Sequence, residues 1–185
     1  MEVRQKLKRI AVFCGSRDGN DPAYKEDAYK IGQQLLHHQL GLVYGGSSAG
    51  LMGVVSDAVM AGNGEVIGII PQLLVKQERA QQHLTELRVV ETMHERKAQM
   101  YELSTGFIAL PGGIGTLEEL AEVLTWSAIG QHAKKLGLMN TNGYYDPLLR
   151  LFNHMVEAEF LLPEIRENIV VSNNPKELVE MMMRE

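Results

Sequence analysis

The chain of 185 residues holds one cysteine, Cys14. That excludes a disulfide framework and any cysteine-based zinc site. No apolar run approaches the roughly 20 residues that a membrane-spanning helix needs. The opening stretch, Met1 to Arg9, is charged and lacks the apolar core of a secretion signal. Positive charge is in deficit: 18 Lys and Arg against 23 Asp and Glu leave a net charge of −5. This argues against a general nucleic-acid binder while leaving room for a local basic pocket. His37-His38 sits inside a helical pattern with no acidic or cysteine partner at ligand spacing, so no metal site is expected. No repeat, low-complexity tract or linker interrupts the chain. With 45% hydrophobic and 22% charged residues, it reads as a cytoplasmic globular protein, one domain over residues 1–185.

What is present is concentrated in one segment, Leu110-Pro111-Gly112-Gly113-Ile114-Gly115-Thr116-Leu117-Glu118-Glu119-Leu120. The apolar run Phe107 to Leu110 leads into it, and Leu117, Leu120, Ala121, Leu124 and Ala128 follow at the spacings of one helix face. The glycines therefore mark a strand-to-helix turn. Such a turn aims bare backbone N–H groups and the positive end of a helix dipole at an anion, most often phosphate. Glu118 and Glu119 are expected in the first turn of that helix, within reach of a bound ligand. Thr116 and Glu119 also fit a capping box, with Glu119 reaching back to the Thr116 N–H. Adjacent helical residues differ by about 100° in direction, so Glu118 and Glu119 should not share a role.

Elsewhere short apolar runs alternate with helical patterns. Strands are expected at Ile10–Cys14, Gly41–Tyr44, Val66–Ile70 (stopped by Pro71), Leu87–Val90, Gly106–Leu110, Lys135–Met139 and Ile169–Val171. Helices are expected from Pro22, capped by Asp21, to about Gln39; after Gly50 through Ala61; over Met93–Ser104 and Leu148–Glu159; and from Pro175, capped by Asn174. Gln72 to Thr85 shows no clear period. This alternation predicts an α/β fold: a Rossmann-like three-layer sandwich with a central parallel sheet and helices on both faces. Ligands in such folds bind beyond the carboxyl ends of the strands, where Gly/Ser-rich turns follow Cys14, Tyr44 and Leu110.

Gly45 to Gly50 has Walker A glycine spacing, but Leu51 and Met52 stand where Lys and Ser/Thr are required, so an NTPase loop is excluded. A tight turn needing glycine torsions is the plain alternative. The dinucleotide fingerprint also fails, because Glu118 occupies the third glycine position after Gly113 and Gly115. Arg96 and Lys97 could hold a phosphate, or could belong to a solvated, mixed-charge helix face. His94 reads as a surface or capping histidine, and Trp126 as core or subunit interface.

His94-Glu95-Arg96-Lys97 followed by Pro111-Gly112-Gly113-Ile114-Gly115-Thr116-Leu117-Glu118-Glu119 resembles the LOG ("Lonely Guy") family, the cytokinin riboside 5′-monophosphate phosphoribohydrolases long labelled lysine decarboxylases. The likeness extends to Phe13-Cys14-Gly15-Ser16, Tyr44-Gly45-Gly46, Gly50-Leu51-Met52-Gly53, Leu124-Thr125-Trp126 and Asn142-Gly143-Tyr144-Tyr145. It implies Arg96 and Glu119 as the catalytic groups. It places Ser16, Gly45, Gly46, Lys97, Gly112, Gly113, Ile114, Gly115, Thr116, Leu117, Glu118 and Thr125 in the substrate and phosphate site. Glu78, at the position of a family substrate contact, joins them. The chain departs from the family at Leu73 to Leu84, at Ser47 in place of a third glycine, and at Arg17 in place of a second serine.

The resemblance further implies a homodimer, no cofactor and no metal, and a nucleoside monophosphate as the partner molecule. The implied reaction is hydrolysis of the N-glycosidic bond of an adenosine 5′-monophosphate, often N6-substituted, to free base and ribose 5-phosphate. Two other readings stand beside it. A non-catalytic carrier would resemble molybdenum-cofactor carrier proteins, which share such glycine turns. A true lysine decarboxylase would need a Schiff-base lysine for pyridoxal phosphate, and nothing singles one out.

Overall fold

A computed structural model describes residues 8–75 and 79–184. The elements run β1 (Arg9–Phe13), α1 (Pro22–His37), β2 (Gly41–Tyr44), α2 (Gly50–Met60), β3 (Val66–Pro71), β4 (Glu86–Val90), α3 (Met93–Leu103) and β5 (Gly106–Ala109). They continue with α4 (Ile114–Ala128), β6 (Leu136–Met139), a 3-10 turn (Thr141–Gly143), α5 (Asp146–Glu157), α6 (Pro163–Glu167), β7 (Ile169–Ser172) and α7 (Pro175–Met183). The seven strands form one sheet in the order β4-β3-β2-β1-β5-β6-β7. Every pair is parallel, with Val12 level with Tyr44 on one side and with Ile108 on the other.

The alternation of side chains along β1 divides the core in two. Ile10 and Val12 pack with Ile31 and Leu35 of α1, Leu51 and Val55 of α2, and Leu178 of α7. Ala11 and Phe13 face the other way, toward Met100 of α3, Leu120 and Val123 of α4, and Phe152 of α5. Helices thus cover both faces, as the strand–helix alternation predicts. Burying a Leu or Ile side chain contributes about 1.5–3 kcal/mol, so these two layers carry most of the stability.

Helix starts follow their caps. Asp21 accepts from Ala23 N at 2.9 Å ahead of α1, and Asn174 accepts from Lys176 N and Glu177 N ahead of α7. Three expectations are corrected. α5 begins at Asp146, because Asp146-Pro147 opens the helix ahead of its apolar pattern. The five-residue α6 was not foreseen, being too short to show a period. Pro71 ends β3 from within, level with Val90 at the last rung, rather than standing outside it. Among the described residues no helix is long and apolar enough to cross a membrane.

Candidate active site

β1 is the centre of the sheet, and the chain runs outward from it to β2, β3 and β4 on one side and to β5, β6 and β7 on the other. The loops leaving β1 and β5 therefore diverge, and the crevice between them is where open α/β sheets bind ligands. A cavity of about 420 Å³ lies there. Its wall is made by Cys14 to Gly19 after β1, Pro111 to Thr116 after β5, Gly45, Met52, Met93, Arg96, Glu118, Glu119 and Tyr144.

The N-terminus of α4 opens into this cavity. Gly113 is the cap residue and has no side chain to bond the helix. The first bond of the helix is Leu117 N to Gly113 O at 3.1 Å, so the amides of Ile114, Gly115 and Thr116 have no partner within the helix. A Cβ placed on Gly113 or Gly115 would meet nothing within 4 Å, and both residues are exposed and line the cavity. Gly112 differs: a Cβ there would strike Thr116 Oγ1. Leu117 is exposed, its amide is used by the helix, and it does not line the cavity.

This geometry corrects two expectations. The helix starts at Ile114, so Glu118 and Glu119 lie in its second turn, not its first. The capping box does not form, because the Pro-Gly-Gly approach makes Gly113 the cap and leaves Thr116 buried inside the first turn.

Glu118 and Glu119 do point to different partners. Glu119, 8% exposed, faces Arg96 of α3, 6% exposed, with Oε1 3.8 Å from Nη2. At that distance the two charges attract without a hydrogen bond between those atoms. Arg96 Nε is buried with no hydrogen-bond partner. The guanidinium thus keeps donor capacity for a ligand oxygen. Cys14 lies close by, and burial first, then the charge of Glu119, pushes its thiol pKa up, with Arg96 opposing. Burial and Glu119 both favour the protonated thiol, the less nucleophilic form.

Lys97 is committed elsewhere. Its Nζ is 2.5 Å from Glu118 Oε1 and 3.0 Å from Glu122 Oε1. Burial works to lower its pKa, but the hydrogen bonds and charges of Glu118 and Glu122 outweigh this and raise it. It lines a small hollow with Tyr101 and Trp126 rather than the main cavity. Trp126 stands edge-on to Tyr101 with ring centroids 4.9 Å apart. Thr125 is exposed and its hydroxyl donates to Ala121 O at 2.8 Å, so within one chain it is not brought to the cavity. Ser16 lines the cavity rim. Glu78 lies outside the described residues.

The second glycine turn serves close packing. Gly46 and Gly50 have φ of +78° and +57°, which only glycine adopts readily. A Cβ on Gly45 would collide with Arg96 Nη2 and Met52 Sδ, so the bare backbone there is what admits the guanidinium. Ser48 N donates to Arg79 O at 2.9 Å and Gln81 N to Gly46 O at 2.9 Å, so the aperiodic segment folds back over this turn. The Leu51 amide donates to Gly15 O at 3.1 Å, which takes up a first-turn donor of α2. Gly45→Ala should leave the fold intact, since the struck groups are flexible side-chain ends. It should displace Arg96 and, on the catalytic role that the resemblance implies for that residue, lower the single-turnover rate about a hundredfold, a cost that an ångström's misplacement can reach. An unchanged rate with an unchanged melting temperature would show that the position of Arg96 is unimportant.

Reasoning from residues alone did not single out Tyr24, Arg17, Asp18, Met52 or Met93 as cavity residues, though all five line it. The available signal was position: each sits in the turn beyond β1 or in the first turn of α1, α2 or α3.

Comparison with known proteins agrees with this architecture. A family model described as "Possible lysine decarboxylase" matches residues 52–182. Cytokinin riboside 5′-monophosphate phosphoribohydrolase LOG1 of Arabidopsis thaliana is 48% identical over 182 residues, covering 98% of this chain and 85% of that protein. A probable cytokinin riboside 5′-monophosphate phosphoribohydrolase, LOGL2 of Oryza sativa subsp. japonica, is 46% identical, covering 98% of this chain and 75% of its own. Among solved structures, the molybdenum cofactor binding protein of Rippkaea orientalis superposes with a TM-score of 0.70 at 20% identity, over 95% of each chain. The Moco carrier protein of Chlamydomonas rheinhardtii gives 0.71 at 18%, over 97% of this chain and 99% of its own. At such identity these two establish the shared fold alone. Near-half identity along almost the full length is a different order of likeness, and with the family match it shows that this chain belongs to the LOG family.

Proposed function

We propose that the chain hydrolyses the N-glycosidic bond of N6-substituted adenosine 5′-monophosphates, releasing the free base and ribose 5-phosphate. The observation that carries this is the buried Arg96–Glu119 pair in the wall of a cavity into which the N-terminus of α4 opens. In this reading the amides of Gly113 to Thr116 and the helix dipole hold the 5′-phosphate. The ribose then lies over Glu119. Cleavage builds positive charge on the sugar, as in other glycoside hydrolyses. The Glu119 carboxylate stabilises that charge and takes a proton from the attacking water. Water oxygen bonds to C1′ as the C1′–N9 bond breaks, and the base leaves with the bonding electrons and is protonated. Arg96 orients the sugar or phosphate and holds Glu119 in place.

Phosphate binding positions the sugar, so a nucleoside should be a much poorer substrate than its monophosphate. Chromatography of reactions with AMP, N6-isopentenyl AMP and the matching ribosides tests this. Free base and ribose 5-phosphate are expected from the monophosphates. Equal rates on the ribosides would overturn the phosphate site, and no base from any of them would overturn the activity.

A buried carboxylate beside an anion site has no purpose in a simple carrier of a phosphorylated ligand, which sets the carrier reading aside. The lysine decarboxylase reading loses its support as well. Among the described residues no lysine lines the cavity, and Lys97 is held by two carboxylates. The same reading takes the chain as one nucleotide-binding domain, cytoplasmic and homodimeric. Leu117 and Ile129 (65% exposed), both outside the cavity lining, put apolar surface along α4, which supports a subunit contact. The one thiol, buried and unpaired, suits a reducing compartment.

A further inference from the structure

The three residues that lead into the cap of α4 have their carbonyl oxygens tied down one after another, each by a different donor. Tyr145 Oη donates to Leu110 O at 2.6 Å, Gly15 N donates to Pro111 O at 3.1 Å, and Tyr144 Oη donates to Gly112 O at 2.5 Å. A carbonyl turned toward an anion repels it. A peptide unit is planar and trans, so its C=O and N–H point in opposite directions. Holding Gly112 O therefore also fixes the direction of the Gly113 N–H, the first amide of the anion site.

The two tyrosines are not equivalent. Tyr145 is buried, whereas Tyr144 is 40% exposed and forms part of the cavity wall. The Tyr144 ring is held edge-on by Tyr24 at 5.8 Å and by Tyr145 at 5.1 Å between centroids. The turn that presents it is itself constrained. Asn142 and Gly143 take φ of +51° and +73°, and Asn140 accepts from Tyr145 N at 2.7 Å while donating to Asp146 at 2.8 Å. The end of β6 is thereby linked through Tyr144 to the loop after β5.

We propose that Tyr144 is a positioning residue for the anion site: its hydroxyl holds the Gly112 carbonyl and so sets the aim of the amides that receive phosphate. This rests on the reading that the N-terminus of α4 takes the 5′-phosphate. Tyr144→Phe removes the hydroxyl and keeps the ring with its edge-on contacts. Ribose 5-phosphate, titrated by calorimetry, probes the grip without any turnover. Tyr144→Phe should bind it about fivefold to tenfold more weakly than the parent chain, the effect of one lost neutral hydrogen bond. The KM for the nucleoside monophosphate should rise in the same proportion, with kcat changed less. Tyr145→Phe serves as the comparison: it removes a buried bond further from the amides, and should lower the melting temperature more and ribose 5-phosphate affinity less. If Tyr144→Phe binds ribose 5-phosphate as the parent does, or if kcat falls while KM holds, the proposal is overturned. If the parent chain binds no ribose 5-phosphate at all, the phosphate site itself is refuted and the proposal goes with it.

Discussion

Glu119→Gln should fold, bind nucleotide and fail to cut it. Glutamine matches glutamate in size and shape, so the buried packing around position 119, which faces Arg96, survives. What disappears is the negative charge and the basic oxygen. A neutral amide neither stabilises a positive sugar nor takes a proton from water. Removing such a group costs about 10²- to 10⁴-fold in the chemical step. A single-turnover assay with AMP reads that loss directly, while the dissociation constant for the nucleotide, measured on the same variant, should move little. In the proposed reading the phosphate is held by backbone amides that the substitution does not touch. Cleavage at the parent rate would reduce Glu119 to a packing residue and leave the proposed reaction without its acid–base group.

Arg96→Ala should lose both activity and stability. Arg96 is the near neighbour of opposite charge to a buried carboxylate, 3.8 Å away. Deleting one member of a buried pair removes the opposite charge that faces the other, at a cost of about 3 kcal/mol. For a chain of this size that lowers the melting temperature by about 10 °C. The substitution also empties the space against Gly45, where the guanidinium fits the bare backbone. Cleavage should fall below detection. Adding Glu119→Gln to Arg96→Ala should then raise the melting temperature again, because the carboxylate charge that Arg96 faced is removed as well. A loss of activity under tenfold, or no recovery in the double variant, would show that Arg96 neither serves the reaction nor balances Glu119.

The sheet, its direction and the helices on both faces were legible because the apolar runs and their caps are strong local signals. The turn at Gly112 to Thr116 was legible for the same reason, and so was the separation of Glu118 from Glu119, which needs only helical geometry. What could not be read depends on contacts between distant segments. Of the face read from Leu117, Leu120, Ala121, Leu124 and Ala128, only Leu120 is buried and Leu124 packs against the core, while Thr116, Glu119 and Val123 complete the buried side of α4. Thr116 and Glu119 face inward because they border the cavity, whereas Leu117, Ala121 and Ala128 are exposed. Arg96 and Lys97 are neighbours in sequence, but only the spacing of α3 and α4 sends one to Glu119 and the other to Glu118 and Glu122. The service of Gly45 to Arg96 is likewise invisible until β2 and α3 are placed side by side.

The arrangement of charge around the cavity has a consequence for how a nucleotide arrives. Two cations, Arg96 and Lys97, stand among three carboxylates, Glu118, Glu119 and Glu122, and at the rim Arg17 stands beside Asp18, which is paired with Lys25 at 2.7 Å. Set in a chain of net charge −5, this gives no positive field reaching far into solution. In the proposed reading an incoming dianion is drawn at the last few ångströms, by the amide dipoles at the tip of α4, whose influence fades within a turn of helix. Encounter is thus left to diffusion, and recognition begins at contact.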